Sequence, residues 1–204
     1  MVHSDDKGLV LPPRIAPKQV VIVPIKMTDE VMEVANNIKS ELNKNNIVTY
    51  IDDTDKSAGF KFAEAEVNGI PVRIEIGPRD LENNQITFVR RDTSEKLTES
   101  KDIDVVKYVS ELLETIQKDM YNRAVERRDK LTFTAKNLEE MENILNTQPG
   151  FIHADWCGDV NCEIKIKEIK GCKSRCIVDE PLITGKCVCC GKEAKHHVIW
   201  GIQY

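Results

Sequence analysis

Aromatic side chains are scarce, at 5% of 204 residues, so any core must be built from valine, isoleucine and leucine. No run of 18 apolar residues occurs, and no transmembrane helix is expected. The first residues carry Asp5 and Asp6 and no apolar stretch, so no secretory signal is expected either. Positive charge is not in excess: 29 Lys and Arg stand against 34 Asp and Glu, a net charge of −5. That balance excludes bulk phosphate binding and leaves any RNA contact to a few placed residues. There is no glycine-rich phosphate loop and no Ser/His/Asp or Cys/His arrangement, so no catalytic residue is expected. Cysteine is missing until position 157, and all seven cysteines then fall between 157 and 190. A chain with no expected export signal is placed in the cytoplasm, where clustered cysteines bind metal more often than they form disulfides.

What is present reads as alternating elements. Residues 1–18 hold Gly8, Pro12, Pro13 and Pro17 and predict an extended connector. Residues 20–25 are nearly continuous β-branched residues, the pattern of a buried strand. Thr28 is a candidate N-cap for a helix carrying Val31, Val34, Ile38 and Leu42, ended by Asn45 and Asn46. A second strand at 47–51, a short helix at 60–67 and a turn at Asn68-Gly69 follow. Val72, Ile74 and Ile76 alternate with Arg73 and Glu75, the period of a half-exposed strand stopped by Pro78, and residues 85–91 supply its partner. A long helix from Asp104 and a short one over 137–145 lead to Pro149-Gly150, which marks the start of a cysteine-bearing segment. That segment contains a strand pattern over 162–169 and a last strand over 198–204. The fold class is α/β, a mixed sheet over residues 19–122 followed by a small α+β module over 123–204.

The sharpest chemical signal is Cys157-x4-Cys162 followed by Cys187-x2-Cys190. Two close pairs let two short loops each present two sulfurs to one tetrahedral ion, and zinc favours such a site. Gly191 allows the backbone to turn around the second pair. Cys189 is a competing ligand, but neighbouring residues 189 and 190 chelate awkwardly. Cys172 and Cys176 are either a third pair or plain structural thiols. His153, His196 and His197 lie near in sequence, yet four thiolates complete a closed structural site with no position for a catalytic water. A module of about 55 residues has a small core, so metal would supply much of its folding free energy.

Three stretches carry a family resemblance. They are Gly59-Phe60-Lys61-Phe62, the run Asn68-Gly69-Ile70-Pro71-Val72-Arg73-Ile74-Glu75-Ile76-Gly77-Pro78-Arg79-Asp80-Leu81, and Val89-Arg90-Arg91-Asp92-Thr93. Together they resemble the class IIa anticodon-binding domain of prolyl-tRNA synthetases of the archaeal and eukaryotic type. The stretch from Asp5 to Pro13, the cysteine spacing, the Arg175-Cys176-Ile177 step and a terminal tyrosine resemble the remainder of that family's C-terminal part. The resemblance implies a connector from a catalytic domain at 1–18, an anticodon-binding domain at 19–122 and a zinc-binding domain at 123–204. It implies that proline tRNA is the partner and that the parent is a class II proline–tRNA ligase, homodimeric through its catalytic domain. ATP and Mg2+ would act only in that domain, and this chain alone would not aminoacylate. Neither DNA nor membrane is implied as a partner. Phe62 would stack on an anticodon base, Glu66 would accept from a guanine edge, and Arg73, Arg79 and Lys96 would bind guanine edges or phosphate. Ala65 departs from a tryptophan common in the family, and Ile202-Gln203 from its usual basic or small pair before the last residue.

Without the resemblance, Phe62 reads as a core aromatic, Arg73 and Glu75 as a solvated strand face, and Glu66 and Lys96 as surface charges. Arg90 and Arg91 would then form exposed pairs with Glu82 or Asp92. A stand-alone zinc-stabilised α/β docking module is the rival function.

Overall fold

A computed structural model describes residues 3–202. The chain divides into two compact units, Met1–Asn122 and Arg123–Tyr204. In chain order, the first unit opens with strands β1 (Ser4–Asp5) and β2 (Gly8–Leu9). There follow β3 (Val20–Pro24), α1 (Asp29–Lys44), β4 (Thr49–Ile51), α2 (Ala58–Val67), β5 (Val72–Ile76), α3 (Pro78–Glu82), β6 (Gln85–Arg90) and β7 (Lys96–Ser100). Helix α4 (Val105–Lys130) comes next, then β8 (Thr132–Thr134), α5 (Leu138–Thr147), β9 (Phe151–Trp156), α6 (Val160–Glu168), β10 (Cys172–Val178) and β11 (His196–Ile202).

The sheet of the first unit runs β4-β3-β5-β6-β7. Its β3 is parallel to β4 and β5, whereas β6 and β7 are antiparallel, so the sheet is mixed. Strand β3 is buried along its whole length, as its β-branched run requires. Val20 and Ile22 face a core filled by Val31, Ala35, Ile38 and Leu42 of α1 and by Val109, Leu112 and Ile116 of α4. Val21 and Val23 face a smaller cluster with Ala65 and Ile70, against which Tyr50 and Phe62 pack. Helix α1 begins where expected, with the Thr28 side chain accepting from the Val31 N–H. Asn46, at φ 61, turns the chain out of it.

Strand β5 departs from the expected half-exposure: all five of its residues are buried. Val72, Ile74 and Ile76 enter the main core. Arg73 and Glu75 are covered on the other face by side chains from α2 and β7, which local alternation does not reveal. Besides the hairpin of β1 and β2, five elements have no signature in the local sequence pattern: the one-turn α3, the outer strand β7, and β8, β9 and β10 of the later sheet. Helix α3 starts at Pro78, with the Asp80 carboxylate accepting from the Gly77 N–H at 2.8 Å.

Residues 4–9 are not an extended connector but a hairpin, β1 against β2. It is fastened by Asp5, whose two oxygens accept from the Arg91 guanidinium at 2.6 and 2.8 Å. Close approach of glycines completes the seat. A Cβ on Gly8 would stand 2.5 Å from the Val67 Cα, and one on Gly69 2.6 Å from the Leu9 Cβ. Arg91 also donates to the Glu66 carbonyl near the end of α2. Arg91 is therefore buried, as is Arg90, which pairs with Asp92 and Asp119. The expected pairing with Asp92 is found for Arg90, but it is not exposed: both guanidinium groups lie inside, and among the described residues no ion pair joins Glu82 to either arginine. The Arg91 hydrogen bonds hold the Asp5 carboxyl well below the usual carboxylate range. A carboxyl lowered on folding adds stability above its unfolded pKa of about 3.9 and loses it as pH falls toward the folded value. Amide exchange at Val10, bonded to the His3 carbonyl, is expected to stay slow at pH 5–7 in the native chain. An Asp5→Asn variant, lacking the anion, should exchange faster there; equal rates would show that the hairpin is held without the ion pair.

The sheet of the second unit runs β10-β11-β9-β8. Ile152 and Ala154 of β9 stand opposite Trp200 and Val198 of β11, and all four are buried with Met141 and Leu145 of α5 and Ile166 of α6. This core includes residues from positions 135–145, so the cysteine-bearing loops belong to a larger body than a module of about 55 residues. The strand expected over 162–169 is instead helix α6. Asp159 caps it by accepting from the Asn161 N–H, and Cys162 and Ile166, four apart, point inward while Ile164 is exposed. The apolar alternation misled because only one of the helix faces is buried. The last strand ends at Ile202; the expectation for Gln203 and Tyr204 lies outside the described residues. Along β10 the pairing with β11 slips between Ser174 and Cys176.

Candidate nucleic-acid interface and metal centre

Helix α2, the central strand β5 and the edge strand β7 of the first sheet bring four of the five expected RNA-reading residues together. Phe62 and Glu66 are one turn apart on α2. Arg73 of β5 is paired with Val89 of β6, which is paired with Lys96 of β7, so the three lie in register across the sheet. The Arg73 guanidinium carbon lies 4.3 Å from the Phe62 ring centroid, a cation–π stack. The Nε and Nη2 of Arg73 meet Glu75 at 3.0 and 2.9 Å, while Nη1 reaches Glu66 only at 3.4 Å. Lys96 Nζ lies 3.4 Å from the other oxygen of Glu75.

Exposure divides the cluster into a floor and a rim. The side chains of Arg73 and Glu75 are each 8% exposed, whereas Glu66 is 28% and Lys96 59% exposed. Phe62 is half-buried over them. A solvated strand face is thus excluded for Arg73 and Glu75. Arg79 is not in this cluster: it is exposed on α3, and among the described residues no side-chain hydrogen bond or ion pair joins it to the others. Glu75 and Arg91, absent from the expected site, supply the counter-charge under Arg73 and the support behind α2. The sequence signal for Glu75 was its place two residues after Arg73 on one strand face.

In the second unit, Cys157 follows β9 directly and Cys162 sits in the first turn of α6. Cys187 and Cys190 flank a tight turn in which the Gly191 N–H donates to the Cys187 carbonyl and Gly191 takes φ 70. The sulfurs of Cys157, Cys162, Cys187 and Cys190 all lie within 4.8 Å of one another. Cys157 is 3.7 Å from Cys162 and 3.9 Å from Cys190. Tetrahedral thiolates about 2.3 Å from a zinc ion are about 3.8 Å apart, so the donor set fits such an ion without rearrangement. Cys189 packs on the core beside the cluster, and Cys172 is buried inside it. Cys172 and Cys176 lie on β10, outside the cluster.

Burial pushes the Cys162 thiol far above its ordinary value, and the neighbouring sulfurs add to this. Burial also acts on Cys187, but backbone N–H groups of Cys190, Cys189 and Cys157 outweigh it and bring it down to about 7. Four thiols so close cannot all ionise unaided, and a divalent cation is the natural counter-charge. Asp155, 2% exposed, steadies the approach to Cys187. Its carboxylate accepts from the N–H groups of Ile183, Thr184 and Gly185 at 3.0, 2.7 and 3.0 Å.

Comparison with known proteins matches both units. A family model described as an anticodon binding domain matches residues 19–118, and one described as prolyl-tRNA synthetase, C-terminal, matches residues 138–204. The proline–tRNA ligase of Clostridium novyi (strain NT) is 51% identical over the whole of this chain, which covers 43% of that relative. The proline–tRNA ligase of Lachnoclostridium phytofermentans is 49% identical with the same coverage. A crystal structure of prolyl-tRNA synthetase from Cryptosporidium parvum, complexed with L-proline and AMP, superposes at a TM-score of 0.91 with 34% identity. It is matched by all of this chain and over 44% of its own length. The chain thus spans less than half the length of these relatives. Among the described residues no helix is long and apolar enough to cross a membrane.

Proposed function

The chain belongs to the prolyl-tRNA synthetase family, and from that premise we propose that residues 19–122 read the anticodon of proline tRNA for a proline–tRNA ligase. The observation that supports this most directly is the Phe62–Arg73–Glu66 cluster, an aromatic face with a donor fork and an acceptor beside it. Single-stranded bases are read by stacking and by bonds to their edges, and arginine forks match guanine. Phe62 offers the stacking face. The long Arg73–Glu66 contact is the one a base would replace, with Nη1 donating to guanine O6 or N7 and Glu66 accepting from an amino group. Glu75 keeps its two bonds to Arg73 and holds the fork in place. Lys96 at the rim and Arg79 on α3 meet phosphate or a second guanine.

Residues 123–204 serve as a zinc-binding domain in this reading. Cys157, Cys162, Cys187 and Cys190 hold one structural Zn2+, which supplies folding free energy and leaves no open position for a substrate. The rest of the parent enzyme, acting in the cytoplasm as a homodimer with ATP and Mg2+, carries out proline activation and transfer. Residues 1–18 then connect to that catalytic part.

Binding of this chain to the anticodon stem-loop of proline tRNA tests the reading, beside a copy with its two shared guanines replaced, at fixed salt. A loss of about 1–3 kcal/mol per replaced guanine is expected. Equal affinity for both RNAs overturns direct reading and favours the protein-docking alternative.

A further inference from the structure

We propose that His153, His197 and Glu180 form a second metal site, distinct from the four cysteines, for a divalent first-row transition ion such as zinc. The ligand atoms of the three side chains all lie within 4.8 Å of one another. His153 is on β9 and His197 on β11, where the paired positions are His197 with Asp155 and Ile199 with His153. The two imidazoles are therefore diagonal neighbours on one sheet face. Ile152, Ala154, Val198 and Trp200 occupy the opposite, core face. The loop bearing Glu180 and Pro181 leads into residues 183–185, which Asp155 fastens to the same strand through three backbone N–H bonds.

Hydrogen bonding fixes one ligand in advance. The Pro181 carbonyl can only accept, so the His197 Nδ1 2.9 Å away must carry a proton and donate to it. The neutral His197 ring then has its lone pair on Nε2, which points at His153 Nδ1 at 2.9 Å. An imidazole whose far N–H is held by a backbone carbonyl is the usual arrangement of a metal-bound histidine. His197 is 6% exposed, so its orientation is set by the fold. In the metal-free pair, His153 Nδ1 donates to His197 Nε2. Metal binding requires that proton to move to His153 Nε2, and the two nitrogens to part to about 3.3 Å, the separation for bonds of about 2.0–2.1 Å. Two imidazoles and one carboxylate suit a borderline ion and leave a fourth position for water or an external ligand.

Equilibrium dialysis of the full chain against micromolar Zn2+, with metal counted by mass spectrometry, tests this site. Wild-type chain is expected to hold one equivalent more than His153→Gln, and Glu180→Gln to weaken that equivalent at least tenfold. Metal at the cysteines cancels in the difference, so failure here is separable from failure of the structural zinc. Glu180 is exposed, which keeps the test valid if the histidine variant does not fold. Long-range proton–nitrogen spectra should show His153 Nδ1 and His197 Nε2 both shifted by Zn2+. The same zinc count in all three proteins, or imidazole resonances that ignore zinc, would overturn the site and leave only a hydrogen-bonded histidine pair.

Discussion

Cys187→Ser, or treatment with a strong chelator, is expected to dismantle the second unit while the first stays folded. Four clustered sulfurs stripped of a cation retain desolvated thiols and mutual repulsion in a loop that frames the end of β9 and the start of α6. Structural zinc contributes about 10–16 kcal/mol of apparent binding free energy in small zinc-finger peptides. Against a typical domain stability of about 5–15 kcal/mol, that loss decides the state of the unit. Both tryptophans of the chain report on it. Trp200 is fully buried, and Trp156 lies edge-on to it with ring centroids 6.3 Å apart. The expected signal is a red-shifted tryptophan fluorescence on chelation, reversed by one equivalent of zinc. Unchanged fluorescence would mean that the core around Trp200, Ile152 and Met141 stands without metal.

Arg73→Ala is expected to destabilise the first unit by about 3–5 kcal/mol, because it leaves the Glu75 carboxylate buried with one partner, the exposed Lys96. Faster amide exchange at Ile22 and Ile74, in adjacent paired strands, measures it. Glu66→Gln separates stability from recognition. Its contact with Arg73 is long and part-exposed, so the change should cost under about 1 kcal/mol of stability. RNA binding should nonetheless weaken, since a neutral amide accepts less strongly from a guanine amino group. If Glu66→Gln binds the anticodon loop as well as native protein does, the base-reading role passes away from Glu66. If Arg73→Ala leaves stability unchanged, Glu75 does not depend on it.

The elements that local pattern could announce were legible. The apolar run of β3, the Thr28 cap with its four-residue stripe and the cysteine pairs each carry their cause within a few residues. The mixed sheet followed from their order. What local pattern missed depends on distant partners. Arg73 and Glu75 look half-exposed on a strand until Phe62 and Lys96 arrive from other elements to cover them. Asp5 and Arg91 are 86 positions apart, so a connector and a hairpin read alike in sequence. Helix α6 reads as a strand because Cys162, Ile164 and Ile166 satisfy a period of two, while the cap that decides the matter, Asp159, stands before the run. The residues proposed to read RNA came from a family resemblance, and only the fold shows that Arg73 is the floor of their cluster and Glu66 and Lys96 its rim.

Strand β10 borders its sheet, with Ile177 60% exposed and its outward backbone groups open to another strand. A regular seven-residue edge of this kind is a template on which a second molecule can polymerise. The register slip between Ser174 and Cys176 breaks that template in the middle. Lys173 and Arg175 set like charges along it, and Arg175 is drawn back onto the Ile202 carbonyl. The break in register and the like charges together oppose the docking of a second strand along β10, a defence against edge-to-edge pairing that the pairing with β11 itself does not require.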